Sequence, residues 1–404
     1  MESIAVIAEF NPFHTGHAYL LSEIRRQSPA DAAIIVIMSG SFVQRGEPAF
    51  FDKWHRARWA VRNGADAVFE LPAVYALSSA EGFASGGVRL AHLLSCTSLA
   101  CGVEDGTADA FLRLAEAALT KAPGAETKAA TAGRNQTEDL KKALPESAHL
   151  LEQPNALLAL EYAKAVLRLP SPLTLMTIPR KGSHHEKSLG QSFTSASALR
   201  KALENAFREA AAYFPKSICA DVEGLVTSGI FSDYGRYHDF VSLQGRLLTA
   251  EQLRRLPAFT EGLENRWHKA FSTLSTYDEA LSAIKTKRYA FSRLCRMGAY
   301  TVLQPSQDFF NESYQEGPQY GRILAFNDRG AAFLKTAKKA FPILTKVTQE
   351  AKSLSPLGQA QLALDMRATD IQSLCFRSDS CRQGRRDYYT SPCYLSQSDH
   401  EQQY

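Results

Sequence analysis

The stretch IAVIAEFNPFHTGHAYL, from Ile4 to Leu20, decides the fold of this 404-residue chain. It begins as an apolar run of Ile, Val and Ala, typical of a buried parallel strand, and breaks at Asn11-Pro12. A helix is predicted to follow. The pattern H-x-G-H places His14, Gly16 and His17 at the helix N-terminus, where backbone N–H groups favour phosphate, and the glycine would let the backbone approach it. The stretch therefore predicts a loop that holds and polarises a triphosphate.

Strand and helix patterns alternate beyond this stretch. Further strands are predicted at 32–40, 65–72, 97–102 and 171–179, and helices at 53–63, 79–94, 107–121 and 155–167. The polar segment Phe42–Pro48 is predicted as a loop at the carboxyl end of a strand, the edge where ligands gather in parallel sheets. This order predicts an α/β fold with a Rossmann-like, doubly wound parallel sheet.

The length and the later patterns predict two domains. A chain of 404 residues is too long for one ordinary core. We expect a catalytic domain at 1–210 and a mostly α-helical domain at 211–404, which includes a short strand and a basic helix at 321–341. No chemistry is legible in 122–147, which is predicted to be exposed helix and linker.

Composition excludes several classes of protein. The hydrophobic fraction is 45% and the charged fraction 22%, which favours a folded globular protein. We expect no export signal and no membrane association, because no run of eighteen apolar residues occurs. Seven cysteines without framework spacing indicate reduced thiols and a cytoplasmic location. The net charge of +4 permits an anionic partner without requiring one.

The H-x-G-H pattern has a structural and a chemical interpretation. In the structural one, His14 and His17 only cap backbone groups where the strand ends. In the chemical one, their imidazoles stabilise the charge that develops on an α-phosphate during nucleotidyl transfer. Protonated rings would add positive charge, but sequence leaves their protonation open.

A second phosphate-binding element is predicted at TSASALR, Thr194 to Arg200. Its hydroxyl and amide groups, at the start of a helix, can hold phosphate oxygens, and Arg200 can neutralise them. An ordinary helix cap with a solvated arginine is the alternative. Three further candidate residues lie between the two motifs: Gly102, Asn155 and Arg180. If they do not contact the nucleotide, Gly102 is a turn residue, Asn155 a helix cap and Arg180 a surface charge.

A basic cluster lies in the second half of the chain, with Tyr289 and Phe291 among its members. It comprises Lys285, Lys287, Arg288, Arg293 and Arg296. If the segment is helical, Lys285, Arg288 and Arg296 lie near one face and can follow the phosphate backbone of a nucleic acid. A solvated helix face with its aromatic rings packed inward is equally consistent with the residues.

Several of these segments resemble one family over nearly the whole chain. They are FNPFHTGH, GSFVQRGEPAFFDKWHRARWAVRNGADAVFELP, ACGVED, PNALLALEYAKAV, SASALRKAL, EGLENR, KTKRYAFSRLCRM and YGRILAFN. In these segments the chain resembles the tRNA(Met) cytidine acetate ligases, within the HIGH-motif nucleotidyltransferase superfamily. Thr15 stands where the motif name has Ile, while both histidines and Gly16 are in place.

The resemblance implies an activity and a set of site residues. Members of the family activate acetate with ATP to acetyl-adenylate and then acetylate the exocyclic amine of the wobble cytidine of elongator tRNA(Met), forming N4-acetylcytidine. His14 and His17 would be catalytic, and Mg²⁺ would accompany the triphosphate. The ATP-binding residues would be Ile7, Ala8, Glu9, Phe10, Asn11, Pro12, Phe13, His14, Thr15, Gly16, His17, Ala18, Tyr19, Leu20, Gly102, Asn155, Arg180, Ser195, Ser197 and Arg200. Gln44, Arg45 and Arg56 are weaker candidates around acetate and the α-phosphate.

Two other functions use the same features. The first is a nucleotidyltransferase that adenylylates a phosphorylated metabolite. The second is a non-catalytic RNA-binding protein that keeps ATP only structurally. The residues alone do not identify the acetate pocket or the role of the C-terminal segment CFRSDSCRQGRRDYYTSPC.

Overall fold

A mixed sheet of eight strands forms the centre of the molecule, in a computed structural model that describes residues 2–120, 144–180, 196–205 and 207–396. A two-stranded hairpin accompanies it. The strands are β1 (Ser3–Ala8), β2 (Ala33–Ser39), β3 (Phe42–Val43), β4 (Glu47–Pro48), β5 (Ala67–Leu71), β6 (Ser98–Val103), β7 (Thr174–Pro179), β8 (Gly321–Phe326), β9 (Ile343–Leu344) and β10 (Cys393–Tyr394).

The order of the main sheet is β10-β8-β5-β2-β1-β6-β7, with β9 also paired to β8. The five strands from β5 to β7 in this order are parallel, so their carboxyl ends share one edge. β8 joins β5 in the antiparallel direction. The second half of the chain therefore extends the sheet built by the first half.

Helices cover the sheet and form most of the second half. They are α1 (Thr15–Gln27), α2 (Lys53–Arg62), α3 (Ala73–Ala76), α4 (Ala80–Leu93), α5 (Ala108–Thr120), α6 (Pro154–Leu167), α7 (Ala196–Asn205), α8 (Phe207–Ala210), α9 (Lys216–Thr227), α10 (Tyr234–Leu247), α11 (Ala250–Arg254), α12 (Leu263–Thr273), α13 (Tyr277–Ile284), α14 (Phe291–Leu303), α15 (Gln307–Glu316), α16 (Asp328–Ala340), α17 (Val347–Glu350), α18 (Pro356–Cys375) and α19 (Arg386–Tyr389). Within the described residues, none of these helices has the length and apolar character that crossing a membrane requires.

Alternate residues of the central strand belong to different hydrophobic cores. Ile4 and Val6 of β1 pack in a cluster with residues of α1 and α2, whereas Ala5 and Ile7 pack with residues of α4 and α5. A strand with helices on both of its faces must be apolar at every position, which explains the continuous apolar run. The predicted doubly wound α/β fold is confirmed.

A buried ion cluster joins the end of the chain to the carboxyl edge of the sheet. Lys53, at the first turn of α2, is fully buried and lies 2.8 Å from both Glu70 Oε1 and Asp387 Oδ1. Arg322 of β8 also contacts Asp387, and it lies 3.3 Å from Glu70 Oε2. Four charges from distant parts of the sequence thus pair with one another inside the protein.

Some expected elements differ in detail. The segment Phe42–Pro48 forms the β3–β4 hairpin rather than an open loop. The strand predicted near 321 is confirmed, but it pairs with β5 in the main sheet. The division at residue 210 stays a prediction, and most of 122–147 lies outside the described residues. All seven cysteines are described as free thiols.

Candidate nucleotide-binding site

The loop after β1 is fixed by side chains and backbone from three other parts of the chain. Its Asn11-Pro12 peptide is cis, and Phe10 has a left-handed φ of 49°. Asn11 is buried, and its Oδ1 accepts a hydrogen bond from Phe50 N at 2.7 Å. The Asn11 carbonyl accepts from Arg200 Nη1 at 2.9 Å. Arg56 also donates to Glu9 O at 2.6 Å, so the loop is held before any ligand binds.

His14 and His17 form a reciprocal cap at the start of α1. His14 Nδ1 accepts from Gly16 N at 3.0 Å, and His17 Nδ1 accepts from His14 N at 3.3 Å. The two rings are stacked, with centroids 3.8 Å apart. Both histidines therefore cap backbone groups, as the structural interpretation of the H-x-G-H pattern expects. Because each Nδ1 is an acceptor, a neutral ring carries its proton on Nε2, where it can be donated to a ligand.

Burial lowers the pKa of both imidazoles. It lowers the pKa of His14 to about 4, and the positive charge of Arg180 acts in the same direction. Burial also holds the pKa of His17 well below 6.5, with His14 and Arg180 as further causes. At neutral pH the pair offers two N–H donors rather than two cations.

Gly16 makes room for the ring of His14. A Cβ added at Gly16 would lie 2.9 Å from His14 Cε1 and 3.1 Å from His14 Nδ1. Any other residue would therefore displace the imidazole that caps the helix. The predicted approach of the Gly16 backbone to a phosphate stays a prediction.

Gly102 and Arg180 lie beside the histidines, at the ends of β6 and β7. Arg180 follows β7 directly, and its backbone N–H donates to Val103 O at 2.8 Å. A Cβ at Gly102 would lie 3.5 Å from Arg180 Cγ and 3.8 Å from Leu20 Cδ1. Arg180 is exposed and influences both imidazoles electrostatically. The fold thus brings residues 14, 17, 20, 102 and 180 into one neighbourhood.

Asn155 is connected to the same edge through Glu104. Its Nδ2 donates to Glu104 Oε1, in the segment that follows β6. It does not cap α6, because the N-cap residue is Gln153. The alternative role of Asn155 as a simple cap is therefore wrong.

Arg200 joins the phosphate loop to the β3–β4 hairpin. It is 6% exposed, and its Nη2 lies 2.6 Å from Glu47 Oε1 while its Nη1 donates to Asn11 O. Its guanidinium also lies over the ring of Tyr234, 5.6 Å from the centroid. The alternative of a solvated arginine is wrong. Sequence reasoning missed Glu47, whose only signal was its place in a polar segment at the carboxyl edge.

The hydroxyl part of the second motif lies mostly outside the described residues. Ser195 is outside them, and only the backbone of Ser197, within α7, is described. Phosphate binding by these two serines stays a prediction.

Arg56 acts within the protein scaffold rather than at an open pocket. It is fully buried, and its guanidinium donates to the carbonyls of Phe51, Glu9, Ser39 and Gly40. Burial lowers its pKa to about 10. Through these carbonyls Arg56 holds the segments after β1 and β2 together. Because its N–H groups are already engaged, Arg56 is a poor candidate for binding acetate.

The β3–β4 hairpin bridges the phosphate loop and the second half of the chain. Gln44 N donates to Glu9 Oε1 at 2.7 Å, and Gln44 O accepts from Arg296 Nη1 at 3.4 Å. Burial raises the pKa of Glu9. A Cβ at Gly46, which has a φ of 81°, would lie 2.4 Å from Arg296 N. Glycine is needed there because the turn packs directly on the backbone of α14.

The basic cluster does not form one helix. Residues 285–290 are a non-helical connection, and α14 begins at Phe291, so the one-face arrangement expected for Lys285, Arg288 and Arg296 is wrong. Tyr289 is buried as the alternative expected, whereas Phe291 is 49% exposed.

Internal bonds engage most cations of this cluster. Lys285 Nζ donates to Tyr289 O at 2.7 Å, and Arg288 pairs with Glu261 at 2.6 Å. Arg293 Nη2 donates to Ala258 O at 2.9 Å. Lys287 is exposed. The ion pair with Glu261 offsets the charge of Arg288, and the bonds to carbonyls occupy N–H donors of Lys285 and Arg293 without removing their charge.

Comparison with known proteins agrees with this geometry. A model of the HIGH Nucleotidyl Transferase family matches residues 1–387, and the chain belongs to that family. The chain is 36% identical over 365 residues to the tRNA(Met) cytidine acetate ligase of Geobacillus sp. (strain WCH70), covering 86% of this chain and 90% of the relative. It is 35% identical to the enzyme of that name from Leuconostoc citreum, covering 98% of each chain. Within the nucleotidyltransferases, the chain therefore belongs with the tRNA(Met) cytidine acetate ligases.

Solved structures show the same architecture. Thermotoga maritima TmcAL bound with alpha-thio ATP superposes with a TM-score of 0.87 at 29% identity, covering 98% of this chain and 100% of that chain. The apo form of TmcAL superposes with a TM-score of 0.88 at 30% identity and with the same coverage. The family resemblance inferred from the segments is confirmed.

Proposed function

We propose that the protein is an ATP-dependent ligase that activates acetate as acetyl-adenylate and acetylates the exocyclic amine of the wobble cytidine of elongator tRNA(Met). The observation that carries the proposal is the stacked, neutral His14–His17 pair at the start of α1 with Arg180 beside it. This arrangement suits an anionic triphosphate. The name of the relatives and the ATP analogue bound to TmcAL support the same choice of substrates.

The first step is adenylyl transfer. An acetate oxygen attacks the α-phosphorus in line, and pyrophosphate leaves. The Nε2–H groups of His14 and His17 donate to phosphate oxygens as their charge grows, and Arg180 adds positive potential. Neutral donors of fixed orientation need no rearrangement at the moment of reaction. Mg²⁺ would enter with the triphosphate, held mainly by its oxygens, and would neutralise phosphate charge.

The second step is acyl transfer to RNA. The cytidine amine attacks the acetyl carbonyl of the mixed anhydride, N4-acetylcytidine forms and AMP leaves. Holding the anhydride and the base together supplies much of the acceleration. Lys285, Lys287, Arg288, Arg293 and Arg296 remain proposed contacts for tRNA phosphates. We expect the reaction to take place in the cytoplasm, where the tRNA is.

The proposal is tested by incubating the purified protein with ATP, labelled acetate, Mg²⁺ and elongator tRNA(Met). We expect labelled N4-acetylcytidine, and acetate-dependent exchange of pyrophosphate into ATP without tRNA. His14→Ala and His17→Ala should each lower the exchange rate by about 10² to 10³, the effect of removing one fixed donor, and should change tRNA affinity much less. His92→Ala is the control, because His92 lies in the last turn of α4, at the opposite end of the sheet.

The two other functions give different results. Adenylylation of a phosphorylated metabolite would produce a dinucleotide without tRNA. A non-catalytic RNA-binding protein would bind tRNA with no release of pyrophosphate, whether or not His14 is replaced. Either result would contradict the proposed ligase.

A further inference from the structure

A surface of arginine and tyrosine side chains lies in the C-terminal segment 376–391. Nine large hydrophobic side chains are exposed in the described part of the chain, and the adjacent Tyr388 and Tyr389 are two of them, at 41% and 62%. The guanidinium carbon of Arg385 lies 4.9 Å from the ring centroid of Tyr388. Exposed rings beside a guanidinium plane provide flat faces on which unpaired bases stack.

The neighbouring side chains fix this surface to the protein. Arg386 Nη2 donates to Asp52 Oδ2 at 2.7 Å, and the Arg386 guanidinium lies 4.8 Å from the ring centroid of Trp54. Asp387 is 3% exposed and contacts Lys53 at 2.8 Å. The inward contacts of these two residues hold the short helix α19 in place, so its tyrosines are presented in a set orientation.

The backbone at Arg385 is also held in an uncommon conformation. Its φ is 63°, in the left-handed region that few non-glycine residues adopt. The Arg385 N–H donates to Asp370 Oδ1 of α18 at 2.6 Å. Such a conformation persists only where the surroundings stabilise it. The exposed guanidinium is therefore placed by a packed helix rather than by a loose tail.

Positive charge and hydroxyl groups continue the surface. Residues 376–391 contain four arginines and two aspartates, a net charge of +2. A cavity of about 460 Å³ beside them has Arg377, Ser378, Thr227 and Ser228 among its lining residues. One guanidinium with three hydroxyl-bearing side chains is a donor set that suits a phosphate group.

This cavity is connected to the phosphate loop by two contacts. Phe231, which also lines it, stacks on Phe50 with ring centroids 4.9 Å apart. Phe50 N in turn donates to Asn11 Oδ1 at 2.7 Å. The cavity and the loop are thus joined through the protein interior, because Phe231 and Phe50 are both buried.

We propose that Arg377, Arg385, Tyr388 and Tyr389 form a surface that binds unpaired nucleotides of the RNA acceptor. Their charge and exposed rings match phosphates and bases, whereas most of the Lys285–Arg296 cluster is engaged in internal contacts. The inference rests on the proposed function, because it takes tRNA as the acceptor.

The test measures the affinity of the full-length protein for fluorescently labelled elongator tRNA(Met) by anisotropy, at one fixed salt concentration. The double variant Tyr388→Ala/Tyr389→Ala should raise the Kd about tenfold or more, because two stacking faces are lost. The matched variant Tyr388→Phe/Tyr389→Phe keeps the rings and should stay within about twofold of wild type. Arg377→Ala and Arg385→Ala should each lower the slope of log affinity against log salt by about one.

Controls separate binding from folding and from the proposed function. Arg255→Ala removes an arginine whose side chain is 74% exposed and should leave RNA affinity within about twofold. Thermal melting shows whether each variant folds. The inference would be overturned if the alanine double variant kept an RNA affinity within twofold of wild type. That result is expected if the surface binds a protein instead of RNA. An equal loss in the phenylalanine variant would also overturn it, because ring stacking would not be the cause. Failure of the proposed function looks different: the wild-type protein would show no acetate-dependent pyrophosphate exchange.

Discussion

The half-buried His14–His17 pair and the buried Lys53–Asp387 ion cluster are titratable groups near the carboxyl edge of one sheet. Burial acts on them with opposite results. The imidazoles lose their charge, because burial lowers both pKa values and Arg180 adds to the effect. In the ion cluster, burial alone would raise the pKa of Asp387, but Lys53 and Arg322 hold it below its ordinary value.

The two groups differ in whether their positive charges are matched by carboxylates. The ion cluster contains Lys53 and Arg322 with Glu70 and Asp387, so its positive and negative charges cancel within the protein. The charged side chain that acts on both histidines is the exposed Arg180. A site whose potential is left positive attracts an anion, whereas a balanced cluster holds the fold together.

The largest expected effect is on the ion cluster. Asp387→Ala would leave Lys53 and Arg322 buried with Glu70 as their remaining partner, and we expect a loss of about 3 to 5 kcal/mol in the free energy of unfolding. Urea denaturation measures this loss. Asp379→Ala, at an exposed position in the same segment, should change stability by less than about 0.5 kcal/mol. A loss below about 1 kcal/mol for Asp387→Ala would mean that the cluster does not anchor the segment.

A second effect concerns the pH dependence of stability. The pKa of His14 is about 4 in the folded protein and 6.5 ordinarily, so between these pH values the unfolded chain binds a proton that the folded chain does not. Stability from this group is present above about pH 6.5, falls as the pH drops toward 4, and changes no further below that.

His14→Gln removes this contribution. The variant should therefore lose less unfolding free energy than wild type between pH 7 and about pH 4.5. Urea denaturation at the two pH values measures the difference, and His92→Gln is the control for a histidine outside the site. If wild type and His14→Gln lose the same unfolding free energy between the two pH values, the lowered pKa of His14 is contradicted.

The smallest effect concerns two helical glycines. Gly16 of α1 makes room for the His14 ring, whereas Gly224 of α9 has open space around it. Gly16→Ala would place a Cβ 2.9 Å from His14 Cε1, so the ring must move, and we expect acetate-dependent exchange to fall on the order of tenfold. Gly224→Ala in α9 meets nothing within 4 Å and should stabilise the protein by about 0.5 to 1 kcal/mol without changing exchange. Unchanged exchange in Gly16→Ala would show that the position of the His14 ring is unimportant.

Much of the first half could be predicted from local pattern. The apolar runs at β1 and β2 and the stripe of α2 depend on periodicity along a few turns or strand residues, and the observed elements match within one or two residues. The family resemblance also implied that Gly102 and Arg180 belong to the same site as the H-x-G-H loop, and the fold brings them near that loop.

Other features were not predictable, because they depend on pairs of residues far apart in the chain. β8 pairs with β5 across about 250 residues, and no local signal in GRILAF shows which edge it will join. The expected helical face of the basic cluster failed because the helix begins only at Phe291. The partnership of Arg200 with Glu47 likewise needed the folded hairpin.

The sequence by itself determined the strand-loop-helix unit of Ile4 to Leu20, the α/β order and the family, since each is written in contiguous residues and their spacing. Only the tertiary structure decided that the histidine pKa values are lowered, that Arg56 and Arg200 are internal, and that the C-terminal tyrosines are exposed. The physical reason is that desolvation and charge pairing are set by everything packed around a group. Local periodicity assigns a residue to a face, but only the fold determines what that face meets.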